Sequence, residues 1–505
     1  MGKGIMLQGT ASSVGKSLLT AALCRIFYQE GYSVAPFKSQ NMALNSFITE
    51  EGLEMGRAQV FQAEAAGIKP TVLMNPILLK PTADSHAQVI IKGKVHNNMT
   101  AANYQEFKPQ LKNMLTEIYQ ELSSSYDVVV IEGAGSPAEI NLKHNDIVNM
   151  GMAEIADAPV LLIGDIDRGG VFASIYGTIM LLTEEERERV KGIIINKFRG
   201  DIKILEPGLK MLEELTGKPV LGVIPHGDFC IEDEDSVSDR LQRRSIGEGK
   251  VKIDIICLPH ISNYTDFHVF QLFPEVSVRY VTHLDQFEAP DVIIIPGTKN
   301  TIEDLKYLRE TGMERGIIAA YYKGTVIFGI CGGYQMLGKT IKDPMGVESR
   351  IDSIRGLGLL DIETVFESDK VTTQVEGRVI NITSGIFMGQ EAISVRGYEI
   401  HMGRTLLGEK TKPFIEITSK LGQETIQMDG AVDDNNQVFG SYIHGIFDEV
   451  SFTSAFINYF MAKKGYSKGE ETITLEEFKE IQYNKLAKAV RDNLNMEEIY
   501  RIMGV

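Results

Sequence analysis

The sequence is poor in cysteine, and none of its cysteines are closely paired. Its 505 residues include four cysteines, Cys24, Cys230, Cys257 and Cys331, and no C-x-x-C pair. This scarcity argues against a disulfide framework and against a cysteine-rich metal site. A chemical role for any one cysteine therefore has to be argued from the residues around it.

Long apolar runs and basic stretches are also missing. No apolar run approaches the roughly 18 residues that a membrane-spanning helix needs. The apolar residues 5–7 lead directly into a glycine loop, with no signal peptide before them. The formal net charge is −17, and no basic stretch is present to neutralise nucleic-acid phosphates. We therefore expect a cytoplasmic protein that binds neither membrane nor nucleic acid, and whose anion sites use local amides and lysines.

Short apolar, β-branched runs recur along the chain and alternate with amphipathic stretches. This alternation is typical of parallel sheets whose strands are buried on both faces and joined by crossover helices. The runs lie at 127–131, 159–163, 192–195 and 219–224 in the first half, and at 252–258, 291–295 and 325–330 in the second. The pattern predicts an α/β fold with two doubly wound, mostly parallel sheets.

A charged and poorly periodic stretch at 237–250 separates the two sets of predicted strands. The length of the chain independently favours two or three domains. We predict a first domain over 1–236, a linker over 237–250, a second domain over 251–450 and a helical C-terminal segment over 451–505.

The segment Gln8–Ser17 (QGTASSVGKS) is a variant of the phosphate-binding loop. In the strict pattern a glycine precedes Gly15 by five positions, where this chain has Thr10, and a glycine stands one residue earlier. Small residues let successive backbone N–H groups face a phosphate, and the helix that follows directs its positive end there. Lys16 is expected to reach the β- and γ-phosphates of ATP, and the Ser17 hydroxyl to bind Mg²⁺.

Polar residues follow three predicted strands at their carboxyl ends, where open α/β sheets bind ligands. Glu132 can hold Mg²⁺ directly or through water, and the alternative is a solvated acid in a glycine turn. Asp165 and Arg168 follow the next strand. Arg168 can bind a phosphoryl group or a substrate carboxylate, and a plain surface ion pair is the alternative. Asn196 follows the third strand, in a position to meet the nucleotide base.

A second chemical signature is the segment Phe328–Gly338 (FGICGGYQMLG), which presents Cys331 between an apolar strand and a helix. Glycines around a nucleophile permit the strained turn that exposes its side chain. The backbone N–H of Gly332 would face the oxyanion formed on a bound amide, and Gly297 would supply a second donor. His444 is the expected base, which only folding can bring to the cysteine.

At this point two resemblances are clear. The segment around Cys331, together with YIHGIF around His444, resembles the class I, triad-type glutamine amidotransferases, which hydrolyse glutamine through a cysteinyl thioester. The phosphate loop, with the EGAG and NK elements, resembles dethiobiotin synthetase, in which ATP activates a carboxylate. The fusion of both is similar to the cobyrinate amidotransferases, so an ATP-dependent amidoligase domain and a glutaminase domain are implied.

Five further segments are similar to the cobyric acid synthase branch of that group: 37–46, 79–82, 165–170, 261–267 and 397–403. The resemblance implies that glutamine-derived ammonia amidates the b, d, e and g carboxylates of adenosylcobyrinic acid a,c-diamide, with one ATP for each amide. ATP and Mg²⁺ would be the cofactors, and a corrinoid and glutamine the substrates. It also implies substrate contacts from Gln40, Asn41, Asp165 and Arg168.

One departure from the glutaminase pattern affects the expected catalytic geometry. Classical triad enzymes carry a Glu two residues after the histidine, and this chain has Ile446 there. Either another acid, such as Asp448 or Glu399, orients His444, or the site works as a dyad. A weakly oriented base would give a slow or substrate-gated glutaminase.

Three other functions compete with this interpretation. The sister synthase amidates the a and c carboxylates, and the QNM element at 40–42 argues against it. A similar glutamine-dependent ligase acting on a cell-wall precursor would have the same fold, because substrate choice resides in loops and not in the scaffold. A P-loop ATPase switch with a degenerate amidase as binding module belongs to a different class. The intact Cys331 and His444 argue against that switch.

Overall fold

The computed structural model describes residues 2–83, 86–227, 229–231, 249–382, 385–388, 393–469 and 473–505. The chain divides into two compact units. The first unit comprises 1–43, 55–232 and 479–505, and the second comprises 44–54 and 233–478. Two segments therefore depart from the contiguous division that the sequence suggested, because 44–54 joins the second unit and 479–505 joins the first. Most of the predicted linker, 237–248, lies outside the described residues.

The strands follow one another through both units. In chain order they are β1 (Lys3–Gly9), β2 (Val34–Phe37), β3 (Gln40–Met42), β4 (Ser46–Ile48), β5 (Glu54–Gly56), β6 (Ile77–Ala83), β7 (His86–Ile91), β8 (Lys94–Thr100), β9 (Val128–Glu132), β10 (Val160–Asp165), β11 (Val190–Phe198), β12 (Val220–Pro225), β13 (Val251–Ile256), β14 (Val276–Val281), β15 (Val292–Ile295), β16 (Val326–Ile330), β17 (Thr340–Lys342), β18 (Ser353–Arg355), β19 (Ile362–Val379), β20 (Ser394–Leu407), β21 (Thr411–Lys412), β22 (Ile415–Lys420), β23 (Gln423–Asp429), β24 (Ala431–Asp433), β25 (Val438–Ser441) and β26 (Ile443–His444).

The helices lie mainly between the parallel strands and at the C-terminal end. They are α1 (Lys16–Gln29), α2 (Arg57–Ala65), α3 (Ala101–Phe107), α4 (Lys112–Ser125), α5 (Met150–Ala156), α6 (Val171–Leu181), α7 (Glu184–Arg189), α8 (Ile202–Thr216), α9 (Thr301–Glu310), α10 (Met313–Tyr322), α11 (Gly332–Leu337), α12 (Val450–Lys463), α13 (Leu475–Arg491) and α14 (Met496–Met503). A capping box precedes α13, where Thr474 and Glu477 exchange side-chain to backbone hydrogen bonds of 2.9 and 3.1 Å. No helix among the described residues has the length and apolar character needed to cross a bilayer.

The first unit is built on a parallel six-stranded sheet of order β12-β11-β10-β1-β9-β2. Both faces of this sheet are covered. One face packs against α1, α13 and α14, and the other against α4, α5 and α6. Burial on both faces explains why these strands are almost wholly apolar in sequence. The fold class predicted from the sequence is confirmed.

The second unit contains another mainly parallel sheet, of order β14-β13-β15-β16-β25-β24-β21. Strand β16 lies inside it between β15 and β25, both parallel to it. Buried aromatic rings pack beneath this sheet, among them Phe328, Phe439 and Phe456. A further sheet of order β18-β17-β19-β20-β26, with β22 and β23 joined to it, was not fully anticipated. Its long β19–β20 hairpin mixes buried and exposed positions, so its apolar signal is weak.

Packing of α13 onto the first unit should contribute measurably to its stability. Leu486 is buried in the same cluster as the apolar residues of α1, whereas Ile481 on the same helix is 54% exposed. Leu486→Ala should destabilise the first unit by about 2–5 kcal/mol because it leaves a cavity. Urea denaturation followed by circular dichroism measures this loss. Ile481→Ala is the control and should stay within about 0.5 kcal/mol of the unaltered protein.

Candidate active sites

The phosphate loop lies at the carboxyl end of β1, a central strand of the first sheet. Ser13 and Gly15 have φ values of 58° and 97°, so the loop turns through the left-handed region at both positions. The buried Lys16 Nζ donates hydrogen bonds to the Ala11 carbonyl at 3.0 Å and to the Gly135 carbonyl at 3.2 Å. The loop therefore encloses its own lysine, beside the turn that follows β9.

Three residues near the loop act as braces. The backbone N–H of Thr10 donates to the Ile163 carbonyl at 2.9 Å, so this amide already has an acceptor within the sheet. The Asn196 side-chain amide donates to the Val14 carbonyl at 2.8 Å, and Lys197 donates to the next carbonyl back along the loop at 2.6 Å. The sequence predicted that Asn196 meets the nucleotide base. In the structure its N–H₂ group instead hydrogen-bonds to the phosphate loop.

Glu132, at the end of β9, is the centre of a buried polar cluster. Its Oε1 accepts from the Ser17 hydroxyl at 2.8 Å and from the Lys38 ammonium at 2.8 Å. Its Oε2 accepts from Gln62 at 2.6 Å and from Gln59 at 3.5 Å. Both oxygens are engaged, so direct binding of Mg²⁺ to Glu132 requires Lys38 to move. Lys38, Gln59 and Gln62 were not predicted, although Lys38 stands in the segment 37–46 that carried the family resemblance.

Gln40 and Asn41 are buried polar residues on β3. The Oε1 atom of Gln40 accepts from the Tyr104 hydroxyl at 2.7 Å, and the Asn41 amide donates to Gln59 at 3.1 Å. Asn41 is therefore connected, through Gln59, to the Glu132 cluster. These contacts give both residues an internal structural role beside any contact with substrate.

Asp165 and Arg168 follow β10 and have different environments. Asp165 forms an ion pair with Lys197 at 2.9 Å, so it helps to position the lysine that braces the phosphate loop. Arg168 is exposed, and within the described residues it forms no ion pair. Its guanidinium can therefore bind an anion without breaking an existing contact.

Cys331 stands on a strained turn between β16 and α11. Its φ of 50° and ψ of −109° are unusual for a residue with a side chain and agree with the predicted nucleophile turn. The two residues after Cys331 have to be glycines, because the turn that follows β15 lies too close for a side chain. A Cβ at Gly333 would lie 2.0 Å from the Ile295 carbonyl oxygen, and one at Gly332 would lie 2.7 Å from Thr298 Cγ2. The turn after β15 thus packs closely against the turn that holds the cysteine.

His444 is oriented by Asp266, a residue that the sequence analysis did not single out. The Nδ1 atom of His444 lies 2.7 Å from Asp266 Oδ2, and the Gly445 N–H donates to Oδ1 at 3.0 Å. The two side chains are only 1% and 2% exposed. A Cβ at Gly297 would come within 2.7 Å of His444 Cε1, so this glycine allows its turn to approach the imidazole.

An acid other than the usual Glu does contact His444, as one of the alternatives expected, but the two acids named as examples do not fill that position. Glu399 is paired with Lys420 at 2.8 Å, and neither Glu399 nor Asp448 takes the Nδ1 position that Asp266 occupies. The dyad alternative is wrong, since a buried carboxylate is present. His444 is therefore held by a buried carboxylate and is not the weakly oriented base that the sequence suggested. Asp266 lies in the segment 261–267, which carried the family resemblance, and this was the available signal.

Burial and charge act in opposite directions on the pKa of His444. Burial lowers this pKa because the imidazolium loses hydration. The negative charge of Asp266 and the interaction with the Cys331 thiol outweigh burial and raise the pKa to about 10. His444 is therefore an imidazolium at neutral pH, positioned by Asp266 and in contact with the Cys331 side chain.

A buried cluster of polar side chains surrounds Gln335 on α11. The Gln335 amide donates to Tyr442 Oη at 3.2 Å, and its carbonyl oxygen accepts from Thr301 Oγ1 at 3.2 Å. The backbone N–H of Thr301 donates to Glu348 Oε1. Among the described residues, Glu348 Oε2 is buried without a hydrogen-bond partner. Burial raises the pKa of Glu348 to about 8, so without a further cation beside it the carboxyl group is mostly protonated at neutral pH, and a bound cation would favour its ionised form.

His401 lies on the other side of Tyr442. The two rings are stacked with their centroids 3.7 Å apart. Burial lowers the pKa of His401 to about 3, so the imidazole is neutral at physiological pH. His401 therefore supports the cluster around Gln335 as a neutral ring.

The fold and the two sites define a class of protein: a P-loop nucleotide-binding domain fused to a glutamine amidotransferase with a Cys-His-Asp arrangement. Two family models match the chain in the same order. The CobQ/CobB/MinD/ParA nucleotide binding domain matches residues 5–235, and the CobB/CobQ-like glutamine amidotransferase domain matches residues 252–452.

Relatives of nearly equal length identify the family more narrowly. A cobyric acid synthase of Alkaliphilus metalliredigens is 64% identical over 501 residues, covering 99% of this chain and 99% of its own. One of Thermoanaerobacter sp. is 56% identical over 499 residues, covering 99% of this chain and 98% of its own. One of Photorhabdus laumondii is 54% identical, covering 100% of this chain and 98% of its own. The chain belongs to the cobyric acid synthase family.

Loss of the Asp266–His444 contact should change both the rate and the pH dependence of glutamine hydrolysis. Asp266→Asn should lower the rate of glutamate release about 10²- to 10⁴-fold, because the imidazole loses its orienting charge. In the unaltered protein the imidazolium is kept as pH rises towards about 10, so activity should fall only near that pH. In the variant the pKa of His444 falls, and the alkaline loss of the remaining activity should move to lower pH.

A pH–rate profile of glutamate release for both proteins measures these two effects. Asp448→Asn is the matched control, since Asp448 does not contact the imidazole Nδ1, and it should leave the profile unchanged. An Asp266→Asn protein with the rate and alkaline limb of the unaltered protein would contradict the assignment.

Proposed function

We propose that this chain is a cobyric acid synthase that amidates the b, d, e and g carboxylates of adenosylcobyrinic acid a,c-diamide, with glutamine as nitrogen donor and ATP as activator. The observation that carries the proposal is the Cys331–His444–Asp266 arrangement in the same chain as a phosphate loop. The full-length similarity to cobyric acid synthases supports the choice of substrate. We also propose that the enzyme works in the cytoplasm, where glutamine and ATP are available.

The glutaminase half uses Cys331 as nucleophile and His444 as acid and base. The thiolate attacks the side-chain carbonyl carbon of glutamine, and the oxyanion is stabilised by the backbone N–H groups of Gly332 and Gly297. His444 then gives its proton to the leaving nitrogen, which departs as ammonia. Water hydrolyses the resulting thioester to glutamate and restores the thiol. Asp266 holds the imidazole in the required tautomer throughout.

The amidoligase half activates a carboxylate. A carboxylate oxygen of the corrinoid attacks the γ-phosphorus of ATP, ADP leaves, and an acyl phosphate forms. Ammonia attacks the acyl carbon, inorganic phosphate leaves, and a proton is lost to give the amide. Lys16, enclosed by the phosphate loop, neutralises charge that develops on the β- and γ-phosphates. The exposed Arg168 is our candidate for binding a peripheral carboxylate of the substrate. Gln40, Asn41 and Asp165 are further candidates for contact with the substrate.

Ser17 and Glu132 are the residues we propose to hold Mg²⁺ on the nucleotide. They already face each other at 2.8 Å, and a hydroxyl and a carboxylate are suitable ligands for this ion. The Lys38 ammonium on the same oxygen of Glu132 favours a water-mediated role for that carboxylate. When bound, the ion screens the phosphate charges.

Glu348 is our candidate for recognising the α-ammonium of glutamine. Its free oxygen is buried beside Thr301, and Thr301 contacts both Gln335 and the turn that carries Gly332. A buried carboxylate with an empty acceptor position is suited to an ammonium group. The other residues of the cluster around Gln335 would orient the rest of the amino acid.

The two halves should separate when the nitrogen source is changed. Cys331→Ala should abolish amidation from glutamine and leave amidation from added ammonium salts intact, because the acyl phosphate still forms. Lys16→Ala should impair amidation from either source. Mass spectrometry of the corrinoid counts the carboxylates converted to amides. Four conversions of the a,c-diamide support the proposed reaction. Two conversions of cobyrinic acid with none of its a,c-diamide would indicate the sister synthase, and no conversion of either with continued ATP hydrolysis would contradict the corrinoid assignment.

The role of Glu348 is tested with glutamine and with 4-carbamoylbutanoate, the analogue that lacks the α-amino group. Glu348→Gln should raise the KM for glutamine about 10- to 100-fold, with little change in kcat. The KM for the analogue should be the same in both proteins. Glu303→Gln, an exposed position on the helix that begins at Thr301, is the matched control. A variant that still prefers glutamine to the analogue as strongly as the unaltered protein would rule out this role.

A further inference from the structure

Residues 44–54, which we call the strap, come from the first tenth of the sequence but belong to the glutaminase unit. We propose that the strap holds both catalytic residues of the glutaminase in their working geometry and makes glutamine hydrolysis depend on the state of the amidoligase half. This inference rests on the proposed function.

The strap is a closed hairpin with its own internal hydrogen bonds. The Thr49 N–H donates to the Leu53 carbonyl at 2.8 Å, and the Gly52 N–H donates to the Thr49 carbonyl at 2.9 Å. A positive φ of 77° at Gly52 forms the turn. The strap therefore has a defined shape that can be docked and released as one piece.

Side chains of β19 fix the far end of the strap. Gln374 Nε2 donates to the Ile48 carbonyl, and Thr372 Oγ1 donates to the Gly52 carbonyl at 3.0 Å. Lys370 forms an ion pair with the buried Glu54 at 2.5 Å. These contacts depend on polar groups that water can replace, so docking of the strap is reversible in principle.

The near end of the strap contacts the histidine side of the site through Tyr398. The Ser46 carbonyl accepts from the Tyr398 hydroxyl at 3.1 Å and from Asn263 Nδ2 at 2.9 Å. The Tyr398 ring is stacked on the His444 imidazole, with centroids 5.5 Å apart and planes within 20°. Fixing the hydroxyl of Tyr398 therefore fixes the plane against which the catalytic imidazole rests.

The same strap contacts the cysteine side of the site through Ile400. Phe47 and Ile48 pack in one apolar cluster with Tyr398 and Ile400 on β20. The carbonyl of Ile400 lies 3.6 Å from the Cys331 sulfur. The strap thus supports both Ile400, which contacts Cys331, and Tyr398, which stacks on His444.

The strap is also joined by the chain itself to the Glu132 cluster. Asn41 lies three residues before it, and Gln59 and Gln62 lie on α2, which begins shortly after it. Gln59 hydrogen-bonds to Asn41, and both glutamines contact Glu132. A ligand that rearranges this cluster moves both ends of the strap through covalent bonds. Tyr398 is accordingly a positioning residue, which acts on the reaction through His444.

The first test is Tyr398→Phe, which keeps the stacked ring and removes the hydroxyl that binds Ser46. Glutamate release is measured with and without ATP and the corrinoid. We expect kcat to fall about 10- to 100-fold with the KM for glutamine unchanged. We also expect stimulation by ATP and corrinoid to be largely lost. Amidation from ammonium salts, measured on the same preparation, should be unchanged, which shows that the amidoligase unit is folded. The unchanged KM for glutamine shows the same for the glutaminase unit.

Gln374→Ala tests the strap at a position that does not contact the imidazole. It should reproduce the kcat effect and the loss of stimulation, because it removes a contact to the Ile48 carbonyl. Glu51→Gln, at the exposed tip of the strap, is the matched control and should behave as the unaltered protein. A Gln374→Ala protein with normal kcat and stimulation would overturn the inference. So would variants in which only the KM for glutamine rises, since the strap would then be part of the glutamine pocket.

Failure of the strap inference is distinguishable from failure of the proposed function. If the unaltered protein does not amidate the corrinoid from ammonium salts, the substrate assignment is wrong and the inference falls with it. If it does amidate, and the variants keep normal glutamine-dependent rates, only the inference is overturned.

Discussion

The buried carboxylate of Asp266 is the constraint on which the glutaminase unit depends. A carboxylate that is 2% exposed must be paired or hydrogen-bonded, because it has lost its hydration. Here it takes the His444 imidazole and the Gly445 N–H as partners. The segment that carries Asp266 is thereby joined to β26, and the imidazole is turned towards the cysteine. One contact both satisfies the buried carboxylate and orients the proposed catalytic base.

The same rule operates at Glu132 in the first unit. This carboxylate is almost fully buried at the end of β9 and satisfies both oxygens with Ser17, Lys38, Gln59 and Gln62. The cluster joins β2, α2 and the start of α1 around one charge. Removal of Lys38 would leave an unpaired buried charge, and the expected consequence is local destabilisation. In both units a buried acid connects distant segments at the carboxyl edge of a parallel sheet.

The path of the chain adds a link that neither domain has alone. The strap leaves the first unit after β3, packs in the second, and returns at β5. Its sequence neighbours belong to the Glu132 cluster, while its own contacts lead to Tyr398 and Ile400. Under the proposed function, ammonia released in the second unit is used in the first, and the strap is a covalent connection from one to the other.

Local patterns in the sequence were sufficient for much of the fold and part of the sites. Continuous apolar runs located most of the parallel strands of both sheets within a few residues, because strands buried on both faces have a strong signal. The strands β2 and β14 were not predicted. The phosphate loop and the turn at Cys331 were predicted from glycine and small-residue spacing, which is a local backbone requirement. The β19–β20 hairpin has mixed exposure, and its extent was largely missed.

The tertiary structure decided the partners of the buried charges. His444 and Asp266 are 178 positions apart, and Lys38 and Glu132 are 94 apart. No periodicity encodes such pairs, so the sequence left open whether another acid, such as Asp448 or Glu399, orients His444 or whether the site is a dyad. The role of Asn196 as a brace and the assignment of 44–54 to the second unit were also decided by packing. The sequence by itself determined which backbone shapes could form, whereas the cost of burying an unpaired charge or polar group decided which distant side chains had to meet.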